Sequence, residues 1–221
     1  EVGIAFTQAD DLFDATQNVD GFVRVSAAIK TAAVNLSKMS NDLRLLSSGP
    51  KAGIGEINLP AKQNGSSIMP GKVNPVIPEV VSQVAFRVIG NDLTITMAAE
   101  SGQLELNAFE PIIFHSLFES IDCLTHAVAT LTANCITGIQ ANEMICYKQV
   151  EESAGIATAL CPTIGYQKAS AIAKESLETG KTVRELVLEK GLLTIAETDS
   201  ILDLKHMAGI PAAMWLRDKV I

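Results

Sequence analysis

The sequence predicts an all-α protein, a bundle of long helices followed by a small helical domain, and three observations carry that expectation. Apolar residues from Phe22 to Leu46 recur at alternating steps of three and four, the spacing of one face of a long bundle helix. Two later segments, from about Glu79 to Ala99 and from Asn107 or Pro111 to Cys135, carry helical apolar patterns of comparable length. Hydrophobic residues make up 48% of the 221 residues but aromatic residues only 5%. The core is therefore mostly Ala, Leu, Ile and Val, which suits close helix packing better than a sheet sandwich.

The first long helix has its seam at Phe22, Val25, Ile29, Ala32, Leu36, Met39, Leu43 and Leu46. Asp20 and Gly21 precede it, and Ser47-Ser48-Gly49-Pro50 stop it. Val23, Val34 and Leu45 lie off the seam, which is expected of a helix covered by more than one neighbour. Residues 49–78 then break the pattern, with Gly49, Gly53, Gly55, Gly65 and Gly71 interspersed with Pro50, Pro60, Pro70, Pro75 and Pro78. An irregular stretch of that length inside a compact domain is often functional.

The second helix is apolar around most of its circumference, from Val80 and Val81 through Phe86 and Ile89 to Leu93 and Ile95. It reads as a central core helix, or as a helix at the heart of an oligomeric bundle. Gly90-Asn91-Asp92 is a point where it could bend. The third helix is expected to run to Cys135, with Gly138 terminating it. After about residue 140 the helices shorten, with breaks near Pro162, Gly165, Gly180 and Gly191. Thr182-Val183-Arg184-Glu185 and Thr194-Ile195-Ala196-Glu197 have the pattern of capping boxes. The expected division is a helix-bundle segment over 1–140, holding an active loop at 61–78, and a small helical domain over 141–221.

Composition narrows the function classes. The formal net charge is −8 with no basic stripe, so nucleic acid is not an expected partner. No uninterrupted apolar run is long enough to span a membrane. Cys123, Cys135, Cys146 and Cys161 form no CxxC pair and suggest no disulfide framework. Free thiols in a reducing, cytoplasmic setting are expected. No His, Cys and carboxylate group within one element has metal-ligand spacing, so no metal and no cofactor is expected. The chain starts at Glu1 without Met, in sequence that already reads as structured, and is expected to be a segment of a longer protein.

The stretch with chemistry is Gly65-Ser66-Ser67-Ile68-Met69-Pro70-Gly71-Lys72-Val73-Asn74-Pro75. Two hydroxyls beside loop N–H groups, a lysine and an asparagine can grip a carboxylate by hydrogen bonds and charge. Glycines and prolines supply hinges and stiff segments. The same residues also make an ordinary polar surface loop. A phosphate loop is excluded, because Val73 follows the lysine and Gly65 stands one residue too far away.

This eleven-residue stretch is similar to the signature loop of the aspartase/fumarase superfamily. Asn41 to Pro50 and Gly55 to Pro60 resemble the helix end and the approach to that loop. Thr96 to Asn107 and Phe109-Glu110-Pro111 resemble the aspartase branch, whereas fumarases typically read differently after the central helix. Ile164-Gly165-Tyr166 and Gly71 are also seen in fumarases.

The resemblance implies a lyase that eliminates ammonia from L-aspartate to give fumarate. By position in the motif, Ser66 matches the general base, and Ser67 the support for the developing oxyanion. Lys72 and Asn74 match the carboxylate-binding pair, and Glu79 an acidic residue that orients a histidine from another segment. The resemblance further implies a homotetramer, with each active site built from three segments on three subunits, of which this chain carries the serine loop. Alone it is expected to be inactive. Elimination of water from malate, as in a fumarate hydratase, and a non-catalytic helical module are the alternatives. His115, His126 and His206 are read as structural, as are Cys135 and Cys161.

Overall fold

The structure, a computed structural model, describes residues 3–69 and 71–209. The described residues are helical apart from loops and one two-residue ladder, and they divide into two compact units at Asn142–Glu143. Pro70 of the signature stretch, and the end of the C-terminal segment from Ile210 onward, lie outside them.

The first unit begins with a short helix, α1 (Leu12–Gln17), followed by α2 (Asp20–Leu46), strand β1 (Ile57–Asn58), α3 (Val76–Glu100), α4 (Glu110–Asn134) and strand β2 (Gln140–Ala141). The helices α2, α3 and α4 pack side by side. Ser26 meets Asp92 while Leu36 and Leu43 pack in one cluster with Ile77 and Val81, so α2 and α3 run antiparallel. Asn91 likewise meets Ser116 and Ser120, and Val81 meets Ala127 and Leu131, so α3 and α4 are antiparallel too.

The observed packing departs from the expected seam of α2. The buried residues of α2 are Ser26, Ala33, Ser37 and Ser40, a stripe of small side chains. Ile29, Leu36 and Leu43 flank the stripe and pack against the core clusters. Val25 and Met39, both on the expected seam, are 47% and 46% exposed. Small side chains let two helix backbones approach closely, so the larger apolar groups straddle the contact rather than fill it. On α3 the buried face runs from Pro78 to Ala98, while Phe86, Leu93 and Met97 point outward and are more than half exposed.

A polar layer crosses the three helices. Asp92 accepts from Ser26 Oγ at 2.8 Å and pairs with Lys30 Nζ at 2.6 Å. One residue earlier, Asn91 donates to Glu119 at 2.7 Å and to Ser120 at 3.1 Å. Arg87 forks onto the Glu119 carboxylate at 3.0 and 3.3 Å. These bonds, led by that from Asn91, hold the Glu119 carboxyl below its usual range. The helix α3 runs unbroken through Gly90-Asn91-Asp92, where Asn91 and Asp92 serve the polar layer.

One helix start differs from expectation. The helix α3 starts at Val76, three residues before Glu79, because Pro75 accepts from the Glu79 N–H and Pro78 sits in the first turn, where a proline costs nothing. The helix α4 ends at Asn134, and Gly138 closes a following 3-10 turn, Ile136–Gly138. Gly138 is required by its neighbour: a Cβ there would lie 2.5 Å from Pro60 Cγ.

The second unit comprises α5 (Glu143–Glu151), a 3-10 helix (Ala154–Leu160), α6 (Cys161–Ile164), α7 (Tyr166–Thr179), α8 (Val183–Glu189), α9 (Ile195–Ile201) and α10 (Leu204–Met207). Its core gathers Leu160, Ile172, Val183, Leu186, Val187 and Leu202. Both expected capping boxes form, Thr182 with Glu185 at the start of α8 and Thr194 with Glu197 at the start of α9. Gly180 takes the left-handed conformation at the end of α7 with φ +73°, a helix stop that only glycine adopts cheaply. None of the four cysteines is in a disulfide.

Candidate active site

The serine loop leaves and re-enters the first unit at one place. Leu59 before the loop and Ile77 after it pack on the same apolar cluster of Val81, Leu131 and Cys135. Pro60, Pro75 and Pro78 line a small pocket there with Cys135, and burial pushes the Cys135 thiol up. The approach is pinned again upstream. Strand β1 pairs antiparallel with β2, Ile57 opposite Ala141 and Asn58 opposite Gln140, and Asn142 donates to the Gly55 carbonyl at 2.6 Å. A polar loop therefore stands on a rigid apolar base.

Within the loop, Asn64 and Val73 form an antiparallel bridge. Gly65 N–H donates to the Lys72 carbonyl at 2.7 Å, and Lys72 N–H donates back to the Met69 carbonyl at 3.2 Å. Gly71 takes a φ of +77°, which lets the chain turn back with no steric penalty. These bonds bring Ser66 to Lys72 into one tight turn, closed at its stem by Asn74, whose Nδ2 donates to the Gly65 carbonyl at 3.2 Å.

Ser66 is half-buried, and its Oγ accepts two backbone N–H groups, those of Ile68 and Met69, each at 3.1 Å. Two convergent N–H donors on one hydroxyl oxygen favour negative charge on it, since charge-assisted bonds are about twice as strong as neutral ones. The motif places Ser66 but does not reveal these donors. The signal available in the sequence is the run of non-proline residues at the second and third positions after the serine, which leaves both N–H groups free to turn back. The Ile68 side chain is 87% exposed, so it is the backbone of Ile68 that is engaged here.

The remaining expected site residues are placed as follows. Ser67 and Lys72 are exposed on the loop, and Asn74 is half-buried at its stem. Glu79 is half-buried in the first turn of α3, immediately after the loop. The structure thus brings Ser66, Lys72 and Asn74 into one hydrogen-bonded turn, with Glu79 on the helix that the turn feeds. The histidines lie on other elements. His115 and His126 are exposed on α4, the latter with Nδ1 2.8 Å from the Asp122 carbonyl, and the His206 backbone N–H donates to the capping Asp203 carboxylate at the start of α10. Among the described residues no helix is long and apolar enough to cross a membrane.

Comparisons with known proteins agree on one family. A family profile described as a lyase matches residues 1–90, and one described as the fumarase C C-terminus matches residues 156–209. Aspartate ammonia-lyase of Helicobacter pylori is 55% identical over 93% of this chain and 44% of its own length. The protein of that name from Escherichia coli K12 is 54% identical over 93% of this chain and 43% of its own. Among solved structures, fumarate lyase:delta crystallin from Brucella melitensis bound to cobalt superposes with a TM-score of 0.88, at 52% identity over 93% of this chain and 45% of that one. A recombinant class II fumarase from Schistosoma mansoni has a TM-score of 0.84, at 36% identity over 90% of this chain and 41% of that one. The chain therefore spans less than half the length of the curated relatives it matches. It belongs to the aspartase/fumarase superfamily of lyases and corresponds to the C-terminal part of proteins named aspartate ammonia-lyase.

Proposed function

We propose that the full-length protein eliminates ammonia from L-aspartate to give fumarate, with Ser66 as the general base. The observation that supports this reading is the pair of backbone N–H groups, from Ile68 and Met69, directed at Ser66 Oγ. An ordinary serine is far too weakly acidic to be an alkoxide at neutral pH. Two donors aimed at its oxygen lower the cost of that charge, and exclusion of water strengthens them further.

In the reaction, the Ser66 oxygen takes a proton from Cβ of aspartate. The electron pair of that C–H bond moves into the neighbouring carboxylate, giving an aci-carboxylate with two negative charges. The pair then returns to form the Cα–Cβ double bond as the C–N bond breaks, and the amine leaves with its electron pair. The intermediate must be held more tightly than the substrate. Lys72 supplies positive charge and Asn74 amide donors to the substrate carboxylates, and the Ser67 hydroxyl and N–H support the oxyanion. Glu79, in the first turn of α3 beside the loop, orients a histidine contributed by another segment of the assembly.

The many outward apolar residues of α3, among them Phe86, Leu93 and Met97, support burial of this helix in a homotetramer. A cytoplasmic setting goes with four cysteines that form no disulfide. The likeness to a class II fumarase keeps malate as the competing substrate, while the higher identity to proteins named aspartate ammonia-lyase favours aspartate. Fumarate formation by the full-length protein, followed by its ultraviolet absorbance, separates the two. Faster turnover of L-malate than of L-aspartate would reject the ammonia-lyase reading.

A further inference from the structure

Gly65 is held on both sides of its own backbone. Its N–H donates to the Lys72 carbonyl at 2.7 Å, and its carbonyl accepts from Asn74 Nδ2 at 3.2 Å. The space where a side chain would begin is already taken. A Cβ on Gly65 would lie 2.6 Å from the Lys72 carbonyl oxygen and 2.8 Å from its carbon, main-chain atoms that cannot swing aside as a flexible side chain would. Gly71 differs: a Cβ there meets nothing within 4 Å, so that glycine answers to the turn's φ and Gly65 to close approach.

The Gly65 carbonyl belongs to the planar peptide that ends at the Ser66 nitrogen. Asn74 therefore fixes the plane from which Ser66 departs, while the N–H groups of Ile68 and Met69 fix its side-chain oxygen. The two residues that touch Gly65 are those assigned to the substrate carboxylates.

We propose that Gly65 is a positioning residue of the elimination: its contact with Lys72 and Asn74 joins base and carboxylate grip into one rigid unit. A dicarboxylate seated on Lys72 and Asn74 then sets where Ser66 Oγ lies. The inference rests on the roles proposed above for Ser66, Lys72 and Asn74, and it adds a residue that makes no contact with substrate. Misplacing a reacting atom by about 1 Å costs on the order of 100-fold in rate, and the overlap at Gly65 demands a shift of that order.

The test uses the full-length protein with Gly65→Ala beside Ser66→Ala, assayed with L-aspartate and with aspartate deuterated at Cβ. In Gly65→Ala, kcat should fall about 100-fold while KM changes less than about 3-fold. The isotope effect on kcat should be at least as large as in the parent, because C–H cleavage limits the rate. A parental kcat, or a loss confined to KM, overturns the inference. Amide hydrogen exchange on the unmodified protein provides a second measurement that needs no folded variant. The Gly65 N–H should exchange at least about 100-fold more slowly than in a free peptide of residues 61–75; equal rates overturn the clamp. Parental turnover in Ser66→Ala removes the base assignment and the inference with it. Lost turnover in Ser66→Ala with parental turnover in Gly65→Ala removes the inference alone.

Discussion

Lys30 on α2 reaches Asp92 on α3 at 2.6 Å across the helix contact, with the carboxylate buried and the lysine 40% exposed. The pair, with Ser26 on the second carboxylate oxygen, fixes the register of α2 on α3 at one point in an otherwise apolar or small-residue interface. A buried carboxylate deprived of its cation keeps its desolvation cost without its compensation.

Lys30→Met should therefore destabilise the protein by about 2 kcal/mol, below the 3–5 typical of a fully buried pair because the lysine is partly in water. Urea unfolding of the full-length protein measures it. A midpoint unchanged from the parent would mean that the pair contributes nothing net.

Met69→Pro removes one of the two N–H donors to Ser66 Oγ and leaves the serine itself in place. Loss of one donor to a developing oxyanion typically costs 100- to 1000-fold, and a fall of about 100-fold in kcat is expected. Steady-state kinetics with L-aspartate checks it. Met69→Leu, which keeps the N–H, should turn over within about 3-fold of the parent, since only the donor is at issue.

Gly138→Ala should destabilise by about 1–3 kcal/mol, the usual cost of overpacking, because its Cβ would sit 2.5 Å from Pro60 Cγ. Pro60→Ala removes the obstructing ring atom. The double variant should lose less than the sum of the single losses, and thermal unfolding of all four proteins gives the coupling. Additive losses would place the strain elsewhere.

The capping box at Thr194 makes the stability of α9 depend on pH. The Thr194 N–H and hydroxyl donate to the Glu197 carboxylate at 2.8 and 2.7 Å and hold its carboxyl below the usual carboxylate range. A carboxyl depressed on folding contributes stability that is complete above its unfolded pKa and is lost as pH falls through the folded one. Acid titration followed by hydrogen exchange in α9 should show protection falling below about pH 4.5. Glu197→Gln should flatten that dependence, and an unchanged profile in the variant would assign the acid sensitivity to another group.

The parts legible in the sequence are those that local chemistry determines. Helix periodicity, the two Thr-x-x-Glu boxes and the stop at Gly180 act over three or four residues, and the chain carries them whatever it packs against. The signature loop is legible for a different reason, since eleven contiguous residues carry its likeness to a family. Tertiary structure alone decided the rest. The buried stripe of α2 is Ser26, Ala33, Ser37 and Ser40 rather than its larger apolar seam, because the close approach of α3 selects small side chains. Gly65 and Gly138 read as ordinary loop and helix-end glycines until Lys72 and Pro60 stand against them. The bond from Asn142 to Gly55 joins residues 87 apart in the chain, and no local pattern announces it. Backbone propensity and capping act along the chain, while close approach and long-range pairing exist only once distant segments have been brought together.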